Sequence, residues 1–407
     1  MKKKKILFVG EGASLAHIVR PLILAKHLDP DHFEILFACS ESYRWLVTKN
    51  ALPFFPLPTI TPSEFRRRLS KRQPLYDRKS LQQYIDSEYS LFKEVAPDMV
   101  VGDFRISLSI STELFHIPYI MIANAYWSPY SKIVKSVADH PVSKLTGRKI
   151  AQLLFNLIYP INSVLFHAKG FNLLREYYNL PAIPSLEGVY TEGEWTLYAD
   201  IPSLAPTENL PPHNQYIGPI LDMPDIPLPD WWGKWPTNKP VIYVCLGSTG
   251  DVAVLENIIK SLANLEVTVL LSTAERIPSR PWPANFFVAS YLPGIQACQA
   301  SDLVLYNGGA GSLYQALSCS KPILAFPSNM DQFLCSSLLE VKGAGKMLMA
   351  TEATIKNIKT NVLTILKNSK YRECAQILAK EINQFDAIKN FTGFIDDWDQ
   401  GKIKRRL

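Results

Sequence analysis

Residues 303–332, LVLYNGGAGSLYQALSCSKPILAFPSNMDQ, hold the densest group of side chains able to do chemistry. An apolar run opens into Asn307-Gly308-Gly309-Ala310-Gly311-Ser312, and helical spacing starts near Leu313. Glycines there let the backbone come close to a ligand. The free N–H groups and the dipole of a helix start suit a phosphate, and the Ser312 hydroxyl adds a donor. A second apolar run, 323–326, ends in Pro327 and leads to Asp331-Gln332. A carboxylate and an amide suit sugar hydroxyls, which both donate and accept hydrogen bonds. Each feature has a plainer reading. The glycines also make a tight strand-to-helix turn, and an aspartate also starts a helix.

Transfer of a group to a hydroxyl needs a general base, because the hydroxyl is a poor nucleophile at neutral pH. A histidine held by a carboxylate fills that role. His17 lies in Ala16-His17-Ile18-Val19-Arg20-Pro21, just after the first apolar run. Asp103 ends a later run, Val100-Val101-Gly102-Asp103-Phe104. Helix capping is the plain alternative for both. His140 is the fallback base, while His27, His116 and His167 read as surface or packing residues.

Other chemistries are disfavoured. In Gly10-Glu11-Gly12-Ala13-Ser14-Leu15, leucine takes the place of the third glycine of a dinucleotide fingerprint, so no nicotinamide cofactor is expected. Asp29-Pro30-Asp31 falls between a helix end and the next strand, on the wrong edge for catalysis. Asp397-Trp398-Asp399 falls in the terminal helices. No catalytic metal is expected from either. The six cysteines, at 39, 245, 298, 319, 335 and 374, form no C-x-x-C pair, which argues against zinc and fits a reducing cytoplasm.

The elements that must position these residues alternate. Strands are expected over 5–10, 33–38, 99–102 and 119–123, with a helix over 15–28 that takes Pro21 near its first turn. The alternation restarts with strands at 241–246, 267–272, 286–290, 303–306 and 323–326. Such patterns imply two parallel sheets, each covered by helices. Residues 127–178 are helix-rich, and 353–407 read as terminal helices with a basic tail. Between the two halves, 222–240 carries five prolines together with Trp231, Trp232 and Trp235, and reads as a semi-rigid linker whose tryptophans pack on a domain.

At 407 residues the chain is too long for one ordinary core and suggests two domains. With 47% hydrophobic and 20% charged residues the composition is globular. A net charge of +6 over this length is mildly basic and decides little about partners; no nucleic acid is expected among them. Its clustering is more telling: Arg66, Arg67, Arg68, Lys71, Arg72, Arg78 and Lys79 make 66–79 either a solvated loop or a contact for an anionic membrane surface. The run 6–9 is too short for a signal peptide, and 153–166 is too interrupted to span a bilayer.

The order Gly247-Ser248, Tyr291-Leu292-Pro293, Asn307-Gly308-Gly309-Ala310-Gly311-Ser312 and Asp331-Gln332 resembles the donor domain of family 1 glycosyltransferases. The likeness covers nearly the whole chain and is strongest over 240–345. It implies an α/β chain of the GT-B fold: two doubly wound, Rossmann-like domains facing a central cleft. The domains expected are 1–221 for the acceptor, the linker 222–240, 241–385 for the donor, and a segment 386–407 that returns to the first domain. By resemblance, Ser248 contacts the nucleotide diphosphate, Tyr291 stacks on uracil, Gly309, Gly311 and Ser312 hold the α-phosphate, and Asp331 and Gln332 hold the sugar. His17 is the base and Asp103 its partner.

Three departures stand out. Asn307 takes the place of a histidine that contacts the β-phosphate. Gln315 replaces a glutamate that binds the ribose, and Gly294 replaces a glutamine. They leave a base other than uracil open. The implied activity is inverting, metal-independent transfer from a nucleotide sugar, a UDP-sugar in the first instance, to a small apolar or lipid-like acceptor. No further cofactor is implied, and the expected place is the cytoplasm, with peripheral membrane contact through 66–79. A nucleotide-sugar-binding protein without transfer is the alternative, and a nucleotide-sugar epimerase a third reading.

Overall fold

The computed structural model describes residues 3–135, 148–222, 226–247, 250–278 and 280–405. The chain falls into two units. One comprises 1–132, 149–220 and 386–407, and the other 133–148 and 221–385.

The first unit is built on a seven-stranded parallel sheet: β1 (Lys4–Gly10), β2 (Phe33–Cys39), β3 (Phe54–Pro56), β4 (Met99–Asp103), β5 (Tyr119–Ala123), β6 (Trp195–Tyr198) and β7 (Asn214–Tyr216). Their order in the sheet is β3-β2-β1-β4-β5-β6-β7. Strands covered on both faces read as unbroken apolar runs, and β4 and β5 are buried at every position. Ile6 and Phe8 of β1 pack with Ile18 and Leu22 of the helix Ala16–Lys26. The helix Ala387–Asp399 closes the same core with Phe391, Phe394 and Ile395. Phe391 meets Phe8 with ring centroids 6.0 Å apart, and the Asn390 amide donates to the Ile217 carbonyl at 2.9 Å. Helix starts follow local chemistry. Asp77 and Ser80 form a reciprocal cap at the helix Arg78–Val95, and Thr61 caps the helix Pro62–Ser70, which opens on proline.

The second unit holds a six-stranded parallel sheet: β8 (Val241–Cys245), β9 (Thr268–Ser272), β10 (Phe286–Ala289), β11 (Leu303–Tyr306), β12 (Ile323–Ala325) and β13 (Gly345–Met347). The order is β10-β9-β8-β11-β12-β13. The Pro/Trp segment before it packs on this unit. Trp231 lies 5.6 Å from Phe287, ring to ring, and its indole N–H donates to the Val288 carbonyl at 3.2 Å.

The strands expected from apolar runs occur within a residue or so of the expected limits. The sheets also contain β3, β6, β7 and β13, which were not expected. These have three or four residues each, too few for a pattern of period two to register. Ladder bonds from a neighbour make them strands: β6 pairs with β5 from Ile120↔Trp195 to Ala123↔Tyr198.

Candidate active site

In an open parallel sheet the strand order reverses at one point, and ligands bind beyond the carboxyl ends there. In the first unit that point lies between β1 and β4, where Gly10 is in register with Asp103. His17 and Asp103, chosen from sequence, meet at this place. His17 Nδ1 is 2.8 Å from Asp103 Oδ1. With Nδ1–H donating to the carboxylate, the other ring nitrogen, Nε2, keeps its lone pair. The Asp103 side chain is fully buried, while that of His17 is 20% exposed.

Arg20 joins this pair, and the sequence reading did not single it out. Its Nε donates to Asp103 Oδ2 and its Nη2 to Asp103 Oδ1, both at 2.7 Å. Its Nη1 donates to Asn124 Oδ1 at 2.7 Å. Burial acts to raise the Asp103 carboxyl, but Arg20 and His17 outweigh it and hold the group below the usual carboxylate range. The signal was present in sequence: Arg20 is three residues from His17 on one helix, hence on the same face. Phe104, held at φ 57°, lays its ring against His17 at 4.6 Å and 14°. Phe65, Tyr190 and Trp127 extend this aromatic group, with Phe104 to Tyr190 at 5.5 Å and Tyr190 to Trp127 at 5.3 Å.

Beside it lies a buried charge cluster. Arg105 Nε donates to Glu88 Oε1 at 2.5 Å, and Ser111 donates to Glu88 Oε2 at 2.6 Å. Arg105 Nη1 stands 3.6 Å from Glu11 Oε2. Burial pushes the Glu11 carboxyl up to about 7, against the pull of Arg105, the Ile60 N–H and the Tyr84 hydroxyl.

In the second unit the order reverses between β8 and β11. The glycine-rich turn follows β11 there. Asn307 Oδ1 accepts from the Gly309 N–H at 3.2 Å and so shapes the turn itself. Gly308 has φ +96°, and a Cβ on it would stand 2.8 Å from both Cβ and O of Gln332. Only glycine fits that position. Gly309 precedes the helix Ala310–Ser318, whose start carries no side-chain cap. Gly311 is exposed and Ser312 half-buried at this end. A Cβ on Gly247, beyond β8, would lie 3.7 Å from Asn307 Nδ2, so the two turns adjoin. Ser248 itself lies outside the described residues, as does His140.

Tyr291, two residues beyond β10, is 45% exposed. Gln315 is buried, and a side chain at Gly294 would run into its amide oxygen. The two departing positions are therefore in direct contact. Asp331 is exposed in the first turn of the helix Met330–Ser336. Gln332 is set differently from Asp331. It is buried, and its Oε1 accepts from both the N–H and the hydroxyl of Ser328 at 2.9 Å. This oxygen holds the preceding loop. Among the described residues no group of three His, Cys, Asp or Glu is placed to hold a metal.

Comparison with known proteins bears on this arrangement. Residues 256–385 match the family model described as erythromycin biosynthesis protein CIII-like, C-terminal domain. The chain is 39% identical over 394 residues to a PGL/p-HBAD biosynthesis glycosyltransferase of Mycobacterium tuberculosis, covering 97% of this chain and 91% of the relative. The chain belongs to this glycosyltransferase family. A PGL/p-HBAD biosynthesis rhamnosyltransferase of Mycobacterium bovis is 38% identical, over 93% of the glycosyltransferase described here and 84% of its own length. The fold agrees with the solved spinosyn rhamnosyltransferase SpnG complexed with thymidine diphosphate. The TM-score is 0.70 at 15% identity, over 97% of this glycosyltransferase and all of that chain. The two parallel sheets of the glycosyltransferase are those of the GT-B fold.

Proposed function

We propose that the enzyme moves a sugar, with inversion and without a metal, from a nucleoside diphosphate sugar to a hydroxyl of an apolar, lipid-like acceptor. The single observation that carries this reading is the His17–Asp103 pair at the carboxyl edge of β1 and β4. His17 Nε2 takes the proton of the acceptor hydroxyl as its oxygen bonds to the anomeric carbon. The bond from that carbon to the diphosphate oxygen breaks, and the diphosphate leaves with the electron pair. Asp103 holds the ring and stabilises the imidazolium that forms. The leaving charge falls to the helix-start N–H groups of the turn Gly309–Ser312, and on the resemblance also to Ser248, which follows β8 in sequence.

On this reading Tyr291 stacks on the base, Gln315 and Asn307 bind ribose and β-phosphate, and Asp331 and Gln332 hold the sugar. A UDP-sugar is the first candidate. A thymidine diphosphate sugar is the second, on the strength of the thymidine diphosphate in the spinosyn enzyme and the rhamnosyl transfer named for a relative. The aromatic group Phe65, Phe104, Tyr190 and Trp127 beside His17 supports an apolar acceptor. Among the described residues no helix is long and apolar enough to cross a membrane. A cytoplasmic place, with 66–79 against an anionic surface, goes with this reading.

The test is diphosphate release and acceptor glycosylation with UDP-, thymidine diphosphate- and GDP-sugars. His17→Ala should abolish transfer, a loss of about a hundredfold or more, while donor binding measured by calorimetry persists. Full transfer by His17→Ala would sink the mechanism.

A further inference from the structure

The helix Arg148–Asn162 carries its apolar side outward. Ile150, Leu153, Leu157, Ile158 and Ile161 are exposed, Leu153 and Leu157 at 70%, and Leu165 continues the row at 67%. At 100° per residue, positions 150, 153, 157, 158 and 161 span an arc of about 140°. The opposite side holds the helix to the body. Phe155 and Tyr159 stack at 5.0 Å there, and the Tyr159 hydroxyl donates to the buried Glu187 at 2.9 Å. Monomeric surfaces rarely leave so much contiguous apolar area bare.

Charge selects the occupant. From 148 to 169 the chain carries Arg148, Lys149 and Lys169 and no acidic residue. The helix Lys169–Tyr177 follows at once and lies against the basic stretch. A Cβ on Gly170 would stand 3.0 Å from the Arg78 nitrogen, and the Arg78 guanidinium lies 5.8 Å from the Tyr177 ring. Lys71, Arg72, Arg78 and Lys79 are exposed. A second copy meeting this face by two-fold symmetry would bring like charges together. An apolar helix face flanked by cations fits the interface of an anionic bilayer.

We infer that residues 150–165 lie in the plane of an anionic membrane, with the apolar row in the acyl boundary and the basic stretch 66–79 on the headgroups. The same helix is joined to the proposed base within one unit. Tyr159 bonds Glu187, Tyr190 stands three residues on and touches Phe104, and Phe104 stacks on His17. A lipid-like acceptor is then met where it resides. This consequence rests on the proposed function. The docking itself does not, because it is measured without donor or acceptor.

The experiment is co-sedimentation of the full chain with vesicles of phosphatidylcholine alone or mixed with phosphatidylglycerol. Binding to the mixed vesicles, weakened by salt, is expected. L153Q/L157Q/I161Q should bind them about tenfold or more weakly, with an unchanged thermal midpoint. The Leu157→Trp chain should shift its emission to shorter wavelength on the mixed vesicles, by more than the parent does. The inference is overturned if the parent ignores those vesicles, if the triple variant binds as the parent does, or if the emission added by Leu157→Trp stays put. It is also overturned if the parent is a dimer that the triple variant makes monomeric, or if only an acidic protein protects this face.

Discussion

Asp103 carries two partners with one carboxylate. A histidine facing an unshared carboxylate is drawn strongly toward its protonated form. Here Arg20 takes both oxygens at 2.7 Å, and His17 shares one of them. The arginine tempers the carboxylate while fixing it in place. Its own charge is secure: burial opposes it, but Asp103 outweighs burial and raises it further. Arg20 is therefore a positioning residue. Arg20→Met should lower kcat by about tenfold or more, because the carboxylate that orients His17 loses the two bonds that fix it. Donor KM should stay unchanged, since the proposed donor residues belong to the other unit. Arg20→Lys should restore kcat in part. A loss of stability in Arg20→Met without a fall in kcat would reduce Arg20 to a structural role.

At the scale of elements, the final helix matters more than its place in the chain suggests. Ala387–Asp399 lies at the far end of the sequence from β1, yet Phe391 is fully buried beside Phe8. Removing a buried phenyl leaves a cavity and loses its transfer energy. Phe391→Ala should cost about 3–5 kcal/mol, read as a lower urea midpoint, and Phe391→Leu less than half of that. An unchanged midpoint would mean the helix is docked without bearing on the core. The turns after the strands show the other side of element-level control. Gly308 is fixed by φ +96° and by Gln332 behind it, whereas a Cβ on Gly311 would meet nothing within 4 Å. The conformation of the turn requires the first glycine. The second is left for the ligand to explain.

At the scale of the whole molecule, buried ionisable groups set how stability follows pH. Asp103 is held below its ordinary range, so its contribution is present above the unfolded value and is lost as pH falls through the folded one. Glu11 acts in the opposite sense. Its carboxyl is raised from 4.5 to about 7, so the folded chain binds its proton more tightly than the unfolded chain does. That contribution is full below 4.5 and is lost as pH rises through about 7. Over this window the loss is about 3 kcal/mol. Glu11→Gln removes the titration. Urea midpoints of the parent should therefore fall between about pH 5 and pH 8 more steeply than those of Glu11→Gln. Parallel slopes would show that Arg105 keeps Glu11 ionised throughout.

The sequence by itself determined the alternation of apolar runs, and with it both sheets, because a strand buried on two faces must be apolar throughout. It also marked Asn307–Ser312 as a turn into a helix, and placed His17 just after one strand and Asp103 at the end of another, the side of a parallel sheet where ligands bind. Tertiary structure decided what those residues touch. The 2.8 Å between His17 and Asp103 crosses 86 positions of sequence, and Arg20 joins them only because its helix turns it to the same side. That the Gln332 oxygen holds Ser328 is likewise a matter of loop packing, settled by neighbours that no local pattern reports. The outward apolar row of Arg148–Asn162 is the sharpest case. Its periodicity reads as a packed helix, and only the fold shows that the packed side is the one bearing Phe155 and Tyr159. Periodicity tells that a helix has two faces; which face the protein keeps for itself is fixed by the contacts of the whole chain.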